Sequence, residues 1–461
     1  MFRTYRNPYT LRRKKNKFKF WPTVLWLIVA LVGLELGAKA LVLMMGNGDR
    51  INDIGPSANS NIDRLNFISK EGESLTGMPQ AGQLKAKSSI AVGYELVSDQ
   101  STEIWTINPQ GFRDNEPVPL EKPQGEIRIF LLGGSTAFGQ GLSDPTTLVS
   151  EKLETRLQER LEQQQRSPEK YQPATLPFTA EQRQAVAKLP PRIRSGNYRI
   201  INAAVPGYAS GNQLAQLALK ILPYQPDVIV VLNGYDDLML DSSEDSVGIP
   251  VRNQLLTQPV RHFGLFITQP VRGFIQNTTF ARVLQYYFFN SNPDLAESSL
   301  PVRQGEDSLT DYLPSPDDTE ELSQRVERYR SHIKQMVQLS AGARVPLIVA
   351  LQPEITGISP EKRSGNVETT RITQNLDATY QATITAAYQQ LDEANKSLES
   401  AYPNNIRVFN YYDLFDSMAN LGAFQDTVHL TAVAHQTLAE RLYNAITGLP
   451  NLQQKPAEPA R

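Results

Sequence analysis

Ile127-Arg128-Ile129-Phe130-Leu131-Leu132-Gly133-Gly134-Ser135-Thr136 is an apolar, β-rich run that breaks at two glycines and a serine. An apolar run bounded by a turn signal predicts a buried strand of a parallel sheet. Glycine lets such a strand turn tightly into a helix and expose the next side chain, and the helix N-terminus favours developing negative charge. Further along the chain, residues 198–201, 228–232, 345–351 and 406–409 repeat the strand pattern. Helical patterns separate them over 148–163, 212–222, 319–339 and 375–398, with a last one at 432–446. Alternation of this kind predicts an α/β fold, with five parallel strands covered by helices on both faces.

Two stretches exceed the usual connection of roughly five residues. Residues 164–196 are polar and Pro-rich, which predicts a surface insertion. Residues 238–318 carry Phe274, Phe280, Tyr286, Tyr287, Phe288 and Phe289. They read as a small helical subdomain packing its own core, or else as a lid, substrate wall or membrane-contact surface. Residues 449–461 read as a disordered tail.

The N-terminus sets the compartment. Eight basic residues, Arg3, Arg6, Arg12, Arg13, Lys14, Lys15, Lys17 and Lys19, precede an apolar run from Trp21 to Gly46. That run is long enough for one helix across a bilayer of roughly 30 Å. The basic flank, residues 1–20, predicts a cytoplasmic N-terminus, with the rest of the chain exported across a bacterial plasma membrane. Glu35 and Lys39 interrupt the run at a spacing that lets them pair on one helix face. A cleaved signal peptide is the rival reading, through the small-x-small motif Ala38-Lys39-Ala40. Residues 47–120 then read as a Gly/Ser/Asn-rich tether followed by an ordered lead-in, and 121–448 as the catalytic domain.

With 461 residues and a formal net charge of −2, the chain gives no global reason to expect nucleic acid. It has no cysteine, which excludes disulfides, thiolate metal sites and a cysteine nucleophile. No metal or organic cofactor is implied.

Ligands of an open parallel sheet bind at the carboxyl ends of its strands, so Ser135 is the first candidate. Its turn lacks the lysine of a P-loop and the Gly-x-Gly-x-x-Gly spacing, which argues against phosphate binding. A serine nucleophile needs a base, and the chain has four histidines. His262 lies in the insertion, His332 in a long polar helix where a solvated role is expected, and His435 inside the last helix with a structural role or one supporting the site residues. His429 alone has an acid three residues before it, Asp426, which can hold one imidazole nitrogen protonated and leave the other to take the serine proton.

In order, these blocks resemble the GDSL-type, or SGNH, hydrolases over residues 127–446, in particular membrane-anchored bacterial members. Gly133-Gly134-Ser135-Thr136 is similar to the nucleophile block, and Asp426-Thr427-Val428-His429-Leu430-Thr431 to the acid–base block. Asn202-Ala203-Ala204-Val205-Pro206-Gly207 resembles the second block, which implies that Gly207 offers its N–H to the oxyanion. The lead-in Asn108-Pro109-Gln110-Gly111-Phe112-Arg113 resembles the segment upstream of the domain in anchored members. The resemblance implies a three-layer α/β/α sandwich of flavodoxin-like type and no cofactor.

The third block departs from the family pattern. Gly234-Tyr235-Asp236-Asp237 puts Asp236 where the family has an oxyanion-binding asparagine. An ionised aspartate cannot donate a hydrogen bond and repels an oxyanion. Three explanations stay open: Asp236 is held protonated, Asn233 supplies the amide from a shifted position or caps the turn, or two backbone donors act alone.

The expected activity is acyl transfer through Ser135, as an esterase or O-acyltransferase acting on an ester of an envelope glycan or lipid. The rival is a cell-envelope binding or scaffold protein that kept the fold and lost efficient chemistry, with Asp236 as its support.

Overall fold

The computed structural model describes residues 33–40, 42–44, 62–68, 84–244 except 90, 91 and 103, 299–303, and 313–459 except 316 and 375. The five predicted strands form one parallel sheet. They are β1 (Glu126–Gly133), β2 (Asn197–Asn202), β3 (Val228–Asn233), β4 (Leu347–Leu351) and β5 (Ile406–Asn410), in the order β5-β4-β3-β1-β2. This order reverses direction between β1 and β3, and in open α/β sheets that switch point is where ligands bind.

Period-two alternation divides each strand between two cores. Ile127, Ile129 and Leu131 of β1 join Val228 and Val230 of β3 in one core, against Leu153 and Leu157 of α2 (Val149–Arg166) and Leu438 and Leu442 of α7 (Ala432–Thr447). Phe130, Leu132, Ile229 and Val231 face the other, against α3 (Ser210–Gln216), α5 (Thr319–Ala343) and α6 (Ala378–Ala401). Burial of each such Val, Ile or Leu contributes about 1.5–3 kcal/mol, which explains why strands with both faces covered carry so little polarity. Two one-turn helices follow strands at the switch point: α1 (Ser135–Phe138) after β1 and α4 (Tyr235–Leu238) after β3.

Two expectations change. The tail is ordered as far as residue 459. Gln453–Gln454 pairs antiparallel with Arg192–Ile193, and the carbonyl of Ala174 accepts from Ala457 N at 2.8 Å. Its anchors are Leu449 and Leu452, apolar side chains that are 3% and 0% exposed. The insertion at 164–196 is therefore the tail's partner, with a helix of its own at Ala180–Ala187. Part of the predicted tether is also sheet, because Ile62–Ile68 lies between Lys85–Ser89 and Ser299–Arg303 in a second, four-stranded sheet.

The chain divides into two compact units, residues 1–61 with 258–296, and residues 62–257 with 297–461. In the first, residues 33–40 and 42–44 are helical, and Lys39 Nζ lies 3.5 Å from Glu35 Oε1, the predicted pair. Most of the apolar run at 21–46 and the aromatic stretch at 274–289 lie outside the described residues. Among the described residues no helix is long and apolar enough to cross a membrane.

Candidate active site

Both glycines of the β1–α1 turn are dictated by close neighbours. A Cβ on Gly133 would lie 2.4 Å from the Leu232 carbonyl oxygen of β3, and one on Gly134 would lie 2.2 Å from Asp236 Oδ2. Gly134 has φ −91°, so it is a glycine for lack of space and not for a left-handed backbone. Ser135 opens α1, and its carbonyl accepts from the N–H groups of Gly139 at 3.0 Å and Gln140 at 3.1 Å. A turn that closes at once leaves the serine fixed at the carboxyl edge of the sheet.

The acid–base loop meets this turn directly. Thr136 Oγ1 donates to the Val428 carbonyl at 3.1 Å and accepts from Gln352 Nε2 at 3.0 Å. His429 follows Val428 and is 4% exposed. Its Nδ1 lies 2.5 Å from Asp426 Oδ2, while Asp426 Oδ1 accepts from the N–H groups of Val428 at 2.9 Å and His429 at 2.7 Å. Burial alone would raise the Asp426 carboxyl, but the His429 ring and these bonds hold it below the usual carboxylate range.

The second block extends the ladder past the end of β2. Val205 N donates to the Gly133 carbonyl at 3.1 Å, and Asn202 Nδ2 donates to the Ala137 carbonyl of α1 at 3.0 Å. Gly207 then takes φ +81°, a left-handed conformation that suits glycine. The Tyr208 carbonyl oxygen would lie 3.4 Å from a Cβ on Gly134, so the Gly207 loop abuts the nucleophile turn. Tyr94 of the lead-in latches this loop: its hydroxyl donates to the Pro206 carbonyl, and the Tyr208 hydroxyl donates to the Tyr94 carbonyl.

Asp236 faces Gly134 with its carboxyl and is half-buried. Burial and the neighbouring Asp237 push it up to about 7, against the pull of His429. Asn233 is engaged elsewhere. Its Nδ2 donates to Gln213 Oε1 at 2.9 Å and its Oδ1 accepts from the Tyr329 hydroxyl at 3.2 Å, so it ties β3 to α3 and α5. This bonding supports the structural role for Asn233 over a shifted oxyanion amide.

The remaining histidines divide. His435 is fully buried and its Nδ1 accepts from Val149 N at 3.0 Å. Burial, then Arg113 and His429, lower it to about 3, so the ring is neutral at physiological pH, as a structural residue should be. His332 differs from the expected solvated residue. It lies on the buried stripe Tyr329, His332, Ile333, Met336 and Val337 of α5, 3% exposed, with Nδ1 2.8 Å from Ser210 Oγ. That hydroxyl donates to Asp237 Oδ1 at 2.5 Å, and the Ser210 N–H donates to Asp237 Oδ2 at 3.0 Å. Asp237 thereby ties the third block to the start of α3, just beyond Gly207.

Sequence reasoning missed two supports. Arg113, 4% exposed, donates through its guanidinium to the carbonyls of Phe138 at 2.6 Å, Gly139 at 2.8 Å and Leu142 at 2.8 Å, which closes the C-terminal end of α1. Glu354 after β4 is fully buried, accepts from the Tyr380 hydroxyl at 3.0 Å, and is pushed up to about 7 by burial against its hydrogen bonds. Its neighbour Ile355 donates N–H to the Thr427 carbonyl at 2.9 Å, which anchors the acid–base loop. Arg113 lies in the lead-in block that the family resemblance marks; Glu354 carries no local signal.

Residues 302–442 match the family model of the GDSL-like lipases/acylhydrolases, a span that holds Asp426 and His429 and begins after Ser135, Gly207 and Asp236. Solved structures with a similar chain path include a lipase/acylhydrolase from Enterococcus faecalis, at 12% identity over 72% of this chain and 100% of that one, with a TM-score of 0.34. Another is an acetylxylan esterase from Geobacillus stearothermophilus, at 10% identity over 71% of this chain and 97% of that one, with a TM-score of 0.33. No curated protein matches the chain. Through residues 302–442 the chain is similar to the GDSL-like lipases/acylhydrolases, the family that its nucleophile and acid–base blocks resemble.

Proposed function

We propose that this ester-hydrolysing enzyme works by two-step acyl transfer through Ser135. His429, oriented by Asp426, takes the Ser135 proton as the hydroxyl attacks an ester carbonyl. The N–H groups of Ser135 and Gly207 receive the oxyanion, and His429 returns the proton to the leaving alkoxide, leaving an acyl-enzyme. Water or a second hydroxyl then takes the acyl group through the same base. The observation that carries this reading is the Thr136–Val428 hydrogen bond at 3.1 Å, which joins residues 292 positions apart and sets the Asp426–His429 pair against the nucleophile turn.

Location narrows the substrate. The basic flank and apolar run at the N-terminus support an anchor in a bacterial plasma membrane, with the catalytic unit on the extracytoplasmic side. There the available esters are those of envelope glycans and lipids, with water as acceptor for an esterase and a glycan hydroxyl for an O-acyltransferase. Asp236 gives the rival scaffold reading its one support, since an ionised carboxylate in that place opposes catalysis. Hydrolysis of a chromogenic acetate ester separates the two. The full chain should turn it over, Ser135→Ala and His429→Ala should each lose activity by about 1000-fold or more, and folded variants that keep the wild-type rate would refute the reading.

A further inference from the structure

Asp236 lies against the nucleophile turn. Its Oδ2 abuts Gly134, the residue before the nucleophile, and His429 interacts with it electrostatically. Two carboxyl groups adjoin here, Asp236 and Asp237, and their bonding differs. Asp237 accepts from both the N–H and the hydroxyl of Ser210, at 3.0 and 2.5 Å, as an ionised carboxylate does at a helix start. A second negative charge beside it, in a half-buried site, is disfavoured.

Resting on the reading of Ser135 as nucleophile, we propose that Asp236 is the third oxyanion donor, a neutral carboxylic acid whose hydroxyl hydrogen-bonds the tetrahedral oxygen in place of an asparagine amide. Asp236 keeps its proton through the cycle and donates a hydrogen bond without transferring it. The Ser135 proton goes to His429 and from there to the leaving group, so the step balances without another acid. The groups around the carboxyl agree. Asp237 of α4 adds negative charge, while Tyr94 of the lead-in and Tyr388 of α6 are phenols held neutral by burial. Two influences oppose it: His429, which favours ionised Asp236 only when it carries charge and must be neutral to act as base, and the smaller pull of Asp236's own backbone N–H.

Activity then requires neutral His429 and protonated Asp236 at once. Asp236 loses its proton as pH rises through about 7, so the alkaline limb belongs to it and the acid limb to the His429–Asp426 pair. The test is the pH profile of kcat/KM on p-nitrophenyl acetate for the full chain, Asp236→Asn and Asp236→Ala. Wild type should fall about 50-fold between pH 7 and pH 9, as a single titration through about 7 requires. Asp236→Asn, which donates at every pH, should lose that limb and exceed wild type at pH 9. Asp236→Ala should run about 100- to 1000-fold below wild type at pH 6.5. An alkaline limb that persists in Asp236→Asn, or an Asp236→Ala variant with the wild-type rate at pH 6.5, overturns the proposal. Fluorophosphonate labelling of the same samples separates the two claims. Labelled Ser135 with an unchanged limb refutes the role of Asp236 alone, and an unlabelled, folded wild type refutes the nucleophile as well.

Discussion

Asp426 places one oxygen on the imidazole of His429 and the other on two backbone N–H groups of the same loop, so the acid cannot turn without breaking that loop. Asp426→Asn keeps the shape and replaces an acceptor by an amide that can donate, which favours the wrong imidazole tautomer. The expected loss is about 10⁴-fold in kcat, with KM little changed and the fold intact by circular dichroism. The pairing was readable from sequence because acid and base lie three residues apart. The upward shift of the Asp236 carboxyl was not, since it depends on burial and on Asp237, whose hydrogen bonds reach Ser210, 27 residues away. Asn233 stayed open between two roles and His332 was expected to be solvated, because the partners of both are supplied by elements distant in sequence.

At the scale of elements, α1 is the critical piece and the weakest alone. A four-residue helix has no stability of its own, so its geometry is imposed from outside. Gly134 and Thr136 fix its start, and the buried guanidinium of Arg113 closes its end on three carbonyls. Arg113→Met keeps the apolar stem and takes the guanidinium donors from the Phe138 and Leu142 carbonyls, while the Gly139 carbonyl still accepts from Leu142 N at 3.1 Å, at about 1–3 kcal/mol for each carbonyl left unsatisfied. Thermal unfolding should show a lowered Tm and kcat should fall with it, while an unchanged Tm would remove Arg113 from this role. Lysine should not restore function, because one ammonium cannot copy the fork. The strands were legible because period and apolarity are local properties. The lead-in's function was not, since Tyr94 and Arg113 have purpose only against loops that follow them by more than 20 residues.

Across the whole molecule, alternating strands and helices predicted the sheet and its two covering layers. The order β5-β4-β3-β1-β2 needed the structure, and it sets the switch point beside Ser135. The tail shows how composition misleads, since two leucines in a polar context suffice to dock it. Truncation after Gly448 removes Leu449 and Leu452 from the core and should cost about 3–6 kcal/mol, seen as a lowered denaturant midpoint; a midpoint equal to wild type would return the tail to a passive role. The central claim is that distant blocks assemble one activated serine. The most direct measurement is fluorophosphonate labelling of the full chain, with the modified residue located by peptide mass spectrometry. The account predicts a single adduct on Ser135 that is lost in His429→Ala; folded wild-type protein with no adduct, or with an adduct elsewhere, would contradict it.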